Sequence, residues 1–414
     1  MVLALLAGVV LTVGLVVPRP VASAPAGVDD AVHLNQVQVI GSHNSYHLAA
    51  SASETALRRQ FIGAADDDLQ YTHAPLDQQF SHQKVRQIEL DLFADADGGR
   101  YATPLIRSAT GGGPHDPAME EPGTKVLHVQ DVDYRSNCLS LVACLTTVKE
   151  WSDDNPSHLP IAILLEFKDS PLVLGDFDFV EPEPFDAAAF QTVDDEIRGV
   201  FGEDSIISPD DLRGTHPTVE AGVLNNGWPT LAASRGQVIF LMDNGGGYRT
   251  TYLEGHPNLE GRPIFTNAGP GQPDAAFVKM NDAKTDAAAI ADLVEAGYLV
   301  RTRADADTHE ARAEDTTTRE AALASGAQWV STDYPVPEYA QAFGSDYVAE
   351  IPGGTVARCN PVNAPPECRD APLDTIYSPA PRPVPTLPPT TVIAPPVPPT
   401  PPATPVAGTA RFTG

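Results

Sequence analysis

Six segments of the chain end in side chains of the types that bind metal or move protons. They are "GSHNSYH" (His43, Asn44), "IELDLF" (Glu89, Asp91), "LHVQD" (His128), "LLEFKD" (Glu166, Lys168), "YLVRTRADADT" (Arg301, Arg303) and "STDYP" (Asp333, Tyr334). Three carboxylates and an amide oxygen form a hard-oxygen set of the kind Ca²⁺ takes, with Mg²⁺ the second choice. His43 and His128 offer proton transfer near neutral pH. Lys168, Arg301 and Arg303 add cations suited to an anionic group. Taken singly, each has an ordinary reading: a salt-bridged E-x-D, a core or capping histidine, a lysine that neutralises Glu166, arginines paired with Asp305 or Asp307. Their recurrence at the end of one apolar run after another is what those readings leave unexplained.

The apolar, β-branched runs that carry these groups predict strands over 37–41, 86–92, 126–129, 161–167, 238–242, 277–280, 299–302 and 329–332. Helical patterns lie between many of them, most clearly over 139–151, 185–201, 282–296 and 316–325. Strands alternating with helices imply βαβ units and a parallel sheet. Eight of them point to an α/β fold, a (β/α)₈ TIM barrel in one domain, with loop insertions over 95–124 and 170–184. A doubly wound open sheet is the alternative, but no G-x-G-x-x-G follows the first strand. Barrels of this kind place chemistry at the carboxyl ends of their strands. Residues two apart on a strand share a face. Glu89 and Asp91 therefore point together, into the barrel, while Ile88, Leu90 and Leu92 face the helices. His47, His73, His82 and His115 have no such support and are expected at the surface; Asp243, ending the fifth strand, could join the site, but Asn244 and the three glycines after it suggest an ordinary turn, and it is left out.

The 414 residues carry 55 acidic against 26 basic side chains, a formal net charge of −29. Such a surface repels nucleic acid phosphates and anionic headgroups unless a local basic cluster or a bound cation reverses the field, so nucleic acid is not an expected partner. Met1 to Val17 are uncharged and apolar, and small residues at Ala22, Ala24 and Ala26 follow, so residues 1–26 read as a signal peptide. An uncleaved anchor is the other reading, for which the run is slightly short. Pairing neighbours among Cys138, Cys144, Cys359 and Cys368 gives two small-loop disulfides in an oxidising compartment, although spacing alone leaves the connectivity open. Residues 377–414 are rich in proline and read as a disordered, extended spacer. The folded domain is then 31–376. The expected setting is extracellular, with cell-surface association through the spacer as a variant.

The motifs "GSHNSYH", "IELDLF", "LHVQD", "LLEFKD" and "TRADADT…GAQWVSTDYP" together resemble those of the calcium-dependent phosphatidylinositol-specific phospholipase C family, within the phosphodiesterase barrel superfamily, over about residues 36 to 336. The resemblance implies that Asn44, Glu89, Asp91 and Glu166 ligate Ca²⁺ and that His43 and His128 are catalytic. It also implies that Lys168, Arg301 and Arg303 contact the substrate's phosphate or headgroup. The implied reaction cleaves phosphatidylinositol at a membrane surface to diacylglycerol and a cyclic or hydrolysed inositol phosphate, and a monomer is expected. A glycerophosphodiester phosphodiesterase is the nearest alternative, although that family has H-R-G where this chain has His43-Asn44-Ser45. An inactive barrel raised on the spacer as a cell-surface binding module is the alternative from another class.

Overall fold

The computed structural model describes residues 27–379, so the expected leader and nearly all of the proline-rich tail lie outside the described residues. Among those described are strands β1 (Val37–Ser42), β2 (Val85–Phe93), β3 (Lys125–Val126), β4 (Ile161–Phe167), β5 (Val238–Met242), β6 (Ile264–Phe265), β7 (Phe277–Lys279), β8 (Leu299–Arg303), β9 (Trp329–Thr332) and β10 (Ala357–Cys359). Eight of them are neighbours in the order β6-β5-β4-β2-β1-β9-β8-β7, and every pairing along that path is parallel. The two ends of the path meet at one parallel bridge, Asn267 with Phe277, where the Ala268 N–H donates to Phe277 O at 3.0 Å. The result is the expected (β/α)₈ barrel, nearly closed.

Two staves differ from the expectation. The run 126–129 is not a stave: only Lys125–Val126 is extended, and it pairs antiparallel with the far end of β2. β2 instead pairs directly with β4 over Gln87 to Leu92, which leaves no place between them. The missing stave is β6, two residues long and set among Gly261, Pro263 and Asn267, too short to show a period of its own. β10 adds antiparallel to the first half of β1, a pairing that the sequence pattern did not suggest.

Strand parity sorts the side chains as expected. Ile88, Leu90, Leu92, Ile163, Leu165, Phe240 and Met242 face outward and pack with Leu145, Val148, Phe190, Val193 and Ile197 of the helices Leu141–Asp154 and Ala187–Val200. Those helices begin where Ser140 and Asp186 accept hydrogen bonds from the first-turn amides, Ala143 N and Ala188 N respectively. The inward set, including Val39, Leu164, Leu241, Phe265, Phe277, Leu299 and Trp329, fills the barrel floor. Disulfides Cys138–Cys144 and Cys359–Cys368 form between sequence neighbours, with Cα separations of 5.0 and 5.9 Å. No helix among the described residues is long and apolar enough to cross a membrane.

Above the floor the barrel turns polar. Arg301 Nε donates to Ser331 Oγ at 3.0 Å, and Ser331 Oγ donates to Gln87 Oε1 at 2.5 Å. Gln87 reaches across because β1 presents Gly41 there: a Cβ at Gly41 would lie 1.8 Å from Gln87 Oε1. Gly41→Ala therefore overpacks this layer and should cost about 1–3 kcal/mol in chemical denaturation. Adding Gln87→Ala should restore part of the loss. If the double variant is less stable than Gly41→Ala alone, the clash is not the cause.

Candidate metal and proton-transfer site

Immediately above that layer, the carboxyl ends of the strands bring the sequence-derived residues together. Glu89, Asp91 and Glu166 are buried, and one oxygen from each lies within 4.8 Å of the others. Asn44 lies two residues beyond β1, whose parallel neighbour is β2. It sits at φ 42°, a left-handed conformation asparagine tolerates better than most residues. The next residue is tied to β2 twice: Ser45 N–H donates to Glu89 O at 3.0 Å, and Ser45 Oγ accepts from Glu89 N at 2.8 Å. Asn44 Nδ2 donates to the Tyr71 hydroxyl at 2.7 Å, which leaves its Oδ1 buried and without a partner.

The positive groups only partly offset this concentration of oxygen. Arg301 forms an ion pair with Glu89 Oε2 and donates to Asn281 Oδ1 at 2.6 Å. Lys168 Nζ lies 2.6 Å from Asp91 Oδ2 and 3.4 Å from Glu166 Oε2. Glu89 Oε1 accepts no hydrogen bond, and the buried Tyr46 hydroxyl is the neutral donor that faces Asp91. Burial drives the Glu166 carboxyl well above the ordinary range; the charges of Asp91, Asp243 and Glu89 add to this, and Lys168 opposes it. Unpaired buried carboxylate oxygens are costly unless a cation meets them. Three carboxylates and an amide oxygen are the donors a hard divalent cation requires, so the residues fit Ca²⁺.

Each of the two histidines is held by its own carboxylate. His43 Nδ1 lies 3.0 Å from Asp333 Oδ1, and its Nε2 lies 3.9 Å from Glu89 Oε1 and 3.4 Å from Arg303 Nη1. Burial and then Arg303 lower the pKa of His43, against Asp333 and Glu89. Against the upward push of burial, His43, His73 and Arg303 hold Asp333 ionised. An ionised Asp333 can only accept, which puts the proton on His43 Nδ1 and leaves Nε2 a base.

His128 sits beyond β3, where Val129 and Asp133 pair across a tight turn with Asp131 at φ 68°. The turn sets Asp133 Oδ2 2.8 Å from His128 Nδ1. The same oxygen takes His47 Nε2 at 2.9 Å, and Arg58 Nη1 donates to the other at 2.7 Å. Burial works against ionisation of Asp133, yet His47 and Arg58 hold its carboxyl well below the usual range. Burial and then Lys168 lower His128, and Asp133 opposes them.

Three sequence expectations change here. His47 and His73 are fully buried, not at the surface: His47 shares Asp133 with His128, and His73 Nε2 lies 3.5 Å from Asp333 Oδ1. His82 and His115 are half-buried. Asp243 belongs to the rim: it is buried, ion-paired with Lys279, and near enough to raise Glu166. The sequence reading marked Asp333 at the end of its strand without a partner and did not mark Asp133. The acid five residues after His128 and the aspartate closing "STD" were their only signals.

One rim of the barrel thus gathers a buried carboxylate cluster and two imidazoles, each held by an aspartate. The family model described as "Phosphoinositide phospholipase C, Ca2+-dependent" matches residues 32–361, and the chain belongs to that family. It is an enzyme of the phosphodiesterase kind, from a family that depends on Ca²⁺. Solved structures similar in fold include a calcium-dependent phosphoinositol-specific phospholipase C from Pseudomonas sp. It has 17% identity, 80% of this chain and 96% of that one covered, and TM-score 0.48. A Ca²⁺-dependent phosphatidylinositol-specific phospholipase C from Streptomyces antibioticus gives 19% identity, coverage of 75% and 98%, and TM-score 0.46. A glycerophosphoryl diester phosphodiesterase from Parabacteroides distasonis gives 11%, 80% and 94%, and 0.27. No curated protein matches.

A cation that binds only the folded pocket stabilises it by mass action, by about 2.7 kcal/mol at a hundredfold excess over its dissociation constant. Ca²⁺ should therefore raise the thermal midpoint of the wild type and leave that of Asp91→Asn nearly unchanged. Equal shifts in both proteins would place the cation elsewhere.

Proposed function

We propose that the protein is a secreted, monomeric phospholipase C, its catalytic unit residues 31–376, that cleaves phosphatidylinositol at a membrane surface to diacylglycerol and a cyclic inositol phosphate. The observation that carries this reading is that two buried histidines adjoin one carboxylate cluster: His43 Nε2 lies 3.9 Å from Glu89 Oε1, and Lys168, paired with Asp91, donates to His128 O at 3.4 Å. Each histidine is oriented by an ionised aspartate, with the oxygen cluster of Glu89, Asp91 and Glu166 on the same rim and Asn44 at the adjoining end of β1.

Ca²⁺ held by those four residues would supply a positive charge against the phosphoryl oxygens and make the inositol hydroxyl beside the phosphate easier to deprotonate. His43 Nε2 takes the hydroxyl proton, and Asp333 stabilises the imidazolium through Nδ1–H. The hydroxyl oxygen attacks phosphorus within the same molecule while the bond to the glycerol oxygen breaks. His128, held through Nδ1 by Asp133, gives its Nε2 proton to that leaving oxygen. One proton is taken and one is returned. Burial and then the field of Lys168 disfavour a protonated His128 in the free enzyme, and a phosphodiester anion seated against Lys168 would offset the second of these.

The two arginines divide. Arg303 lies beside His43, within reach of phosphate charge. Arg301 is fully buried and committed to Glu89, Asn281 and Ser331, which suits it to holding a metal-facing carboxylate in place.

Phosphorus NMR of the protein with phosphatidylinositol vesicles should show a cyclic inositol phosphate signal with Ca²⁺ and none after chelation. Cleavage of glycerophosphoinositol alone would make the protein a glycerophosphodiesterase, and cleavage of neither would leave a binding barrel. The role of His128 has its own signature. His128→Ala should slow the natural lipid roughly 10²–10⁴-fold, the usual range for a proton-transfer group. It should slow a phosphodiester with a good leaving group far less, and equal losses on both would remove the acid role.

A further inference from the structure

Of the two histidines that meet Asp133, the proton transfers above use only His128. His47 is fully buried, its ring stacked on that of Tyr71 with centroids 4.2 Å apart. Its two nitrogens face two oxygens: Nδ1 lies 3.1 Å from Tyr71 O, and Nε2 lies 2.9 Å from Asp133 Oδ2. A carbonyl oxygen can only accept, so Nδ1 carries hydrogen. The ionised Asp133 can only accept as well, so Nε2 meets it through a further positive species, a proton or a metal ion. His128 Nδ1 reaches the same oxygen at 2.8 Å. One ligand atom each from His47, His128 and Asp133 thus lies within 4.8 Å of the others, and all three side chains are buried.

Two imidazole nitrogens and one carboxylate suit a borderline transition cation; Ca²⁺ takes oxygen. The surroundings suit one too. A metal-bound histidine donates its other N–H to a carbonyl or carboxylate, as His47 does to Tyr71 O, and a ligating carboxylate is itself held. Arg58 Nη1 holds Asp133 Oδ1 at 2.7 Å and leaves Oδ2 to face the two rings. Tetrahedral Zn²⁺, with bonds near 2 Å, spaces its ligand atoms about 3.3 Å apart. The gaps of 2.8 and 2.9 Å to Asp133 therefore need to open by only about half an ångström. We propose that His47, His128 and Asp133 form a second cation site, for a divalent cation of the Zn²⁺ class, and that filling it switches off the catalytic acid. The second half of the proposal rests on the lipid-cleaving reading above. Binding forms bonds from the metal to His47 Nε2, His128 Nδ1 and Asp133 Oδ2, and the N–H protons that face Asp133 leave to solvent. The proton on His128 Nε2 then belongs to a neutral imidazole, a far weaker acid than the imidazolium that the leaving oxygen requires. Ca²⁺ and Zn²⁺ thus act in opposition, at two sites told apart by the hardness of their ligands.

The test uses Co²⁺ as a coloured substitute for Zn²⁺, on protein kept in excess Ca²⁺ so that the oxygen cluster is filled. Wild type should bind Co²⁺ with the strong visible absorption of a low-coordinate site, and Zn²⁺ should abolish that absorption. His47→Gln keeps a hydrogen-bond donor for Asp133 but loses the ligand. It should bind Co²⁺ at least roughly 10–100-fold more weakly, since even an outer partner of a metal site is worth that much. Its rise in thermal midpoint with Ca²⁺ reports that it is folded. Asp91→Asn, altered in the oxygen cluster, should keep the cobalt spectrum. In the wild type, saturating Zn²⁺ should slow cleavage of the natural lipid roughly 10²-fold or more, the effect of losing a proton-transfer group. It should slow a phosphodiester with a good leaving group far less, and added Ca²⁺ should not relieve it. No cobalt absorption in the wild type, displacement of cobalt by Ca²⁺, a spectrum lost in Asp91→Asn but kept in His47→Gln, or equal inhibition of both substrates would each overturn the proposal. A His47-dependent cobalt spectrum in a protein that cleaves no phosphodiester would instead retain the site and remove the enzymatic reading.

Discussion

Three carboxyl groups buried on one rim are the constraint to which the rest of the molecule answers. Glu89, Asp91 and Glu166 face inward because strand parity has already committed Ile88, Leu90, Leu92, Ile163 and Leu165 to the helices. Their mutual repulsion in a poorly solvated mouth would oppose folding if left alone. Arg301 and Lys168 relieve part of it from within the barrel. What remains, in the unpartnered oxygens and the raised pKa of Glu166, is a standing attraction for a cation. The same burial that makes the cluster costly makes it a site.

The proton-transfer groups repeat this logic on a smaller scale. Burial lowers both His43 and His128, and a buried aspartate works against that in each case while fixing which ring nitrogen bears hydrogen. Asp133 is steadied in turn by His47 and Arg58, and Arg58 by Asp66. One network thus joins the loop after β1 to the turn that carries His128. Rigid strands set the height of each group, and these cross-loop ion pairs set its direction.

The polar layer of Gln87, Arg301 and Ser331 separates this mouth from an apolar floor. It gives Glu89 a cationic partner from below, so the carboxylate's free oxygen is available above. Outside the barrel, acidic side chains dominate, and basic ones are largely paired. A chain of this charge meets an anionic substrate only where a cation, a lysine or an arginine is concentrated, and the mouth is that place.

Much of this was legible in the sequence, because short-range patterns are local physics. Alternation along β2 and β4 revealed the inward carboxylates, a strand–helix rhythm revealed the barrel, and the motifs carrying His43, Asn44, Glu89, Asp91, His128 and Glu166 supplied the candidate residues. Neighbouring cysteines suggested the pairing seen in both disulfides. What the sequence missed depends on contacts between distant segments. β6 is too short to carry a period and exists because β5 and β7 leave an opening for it. The run 126–129 looks like a stave, but β4 takes its place beside β2. His47 and His73 read as loop residues, and only folding brings them to Asp133 and Asp333. Residue type and periodicity determined which groups could do chemistry and on which face they lay. Tertiary structure alone decided their partners, because a hydrogen bond or ion pair between residues far apart in the chain leaves no trace in the local pattern of either.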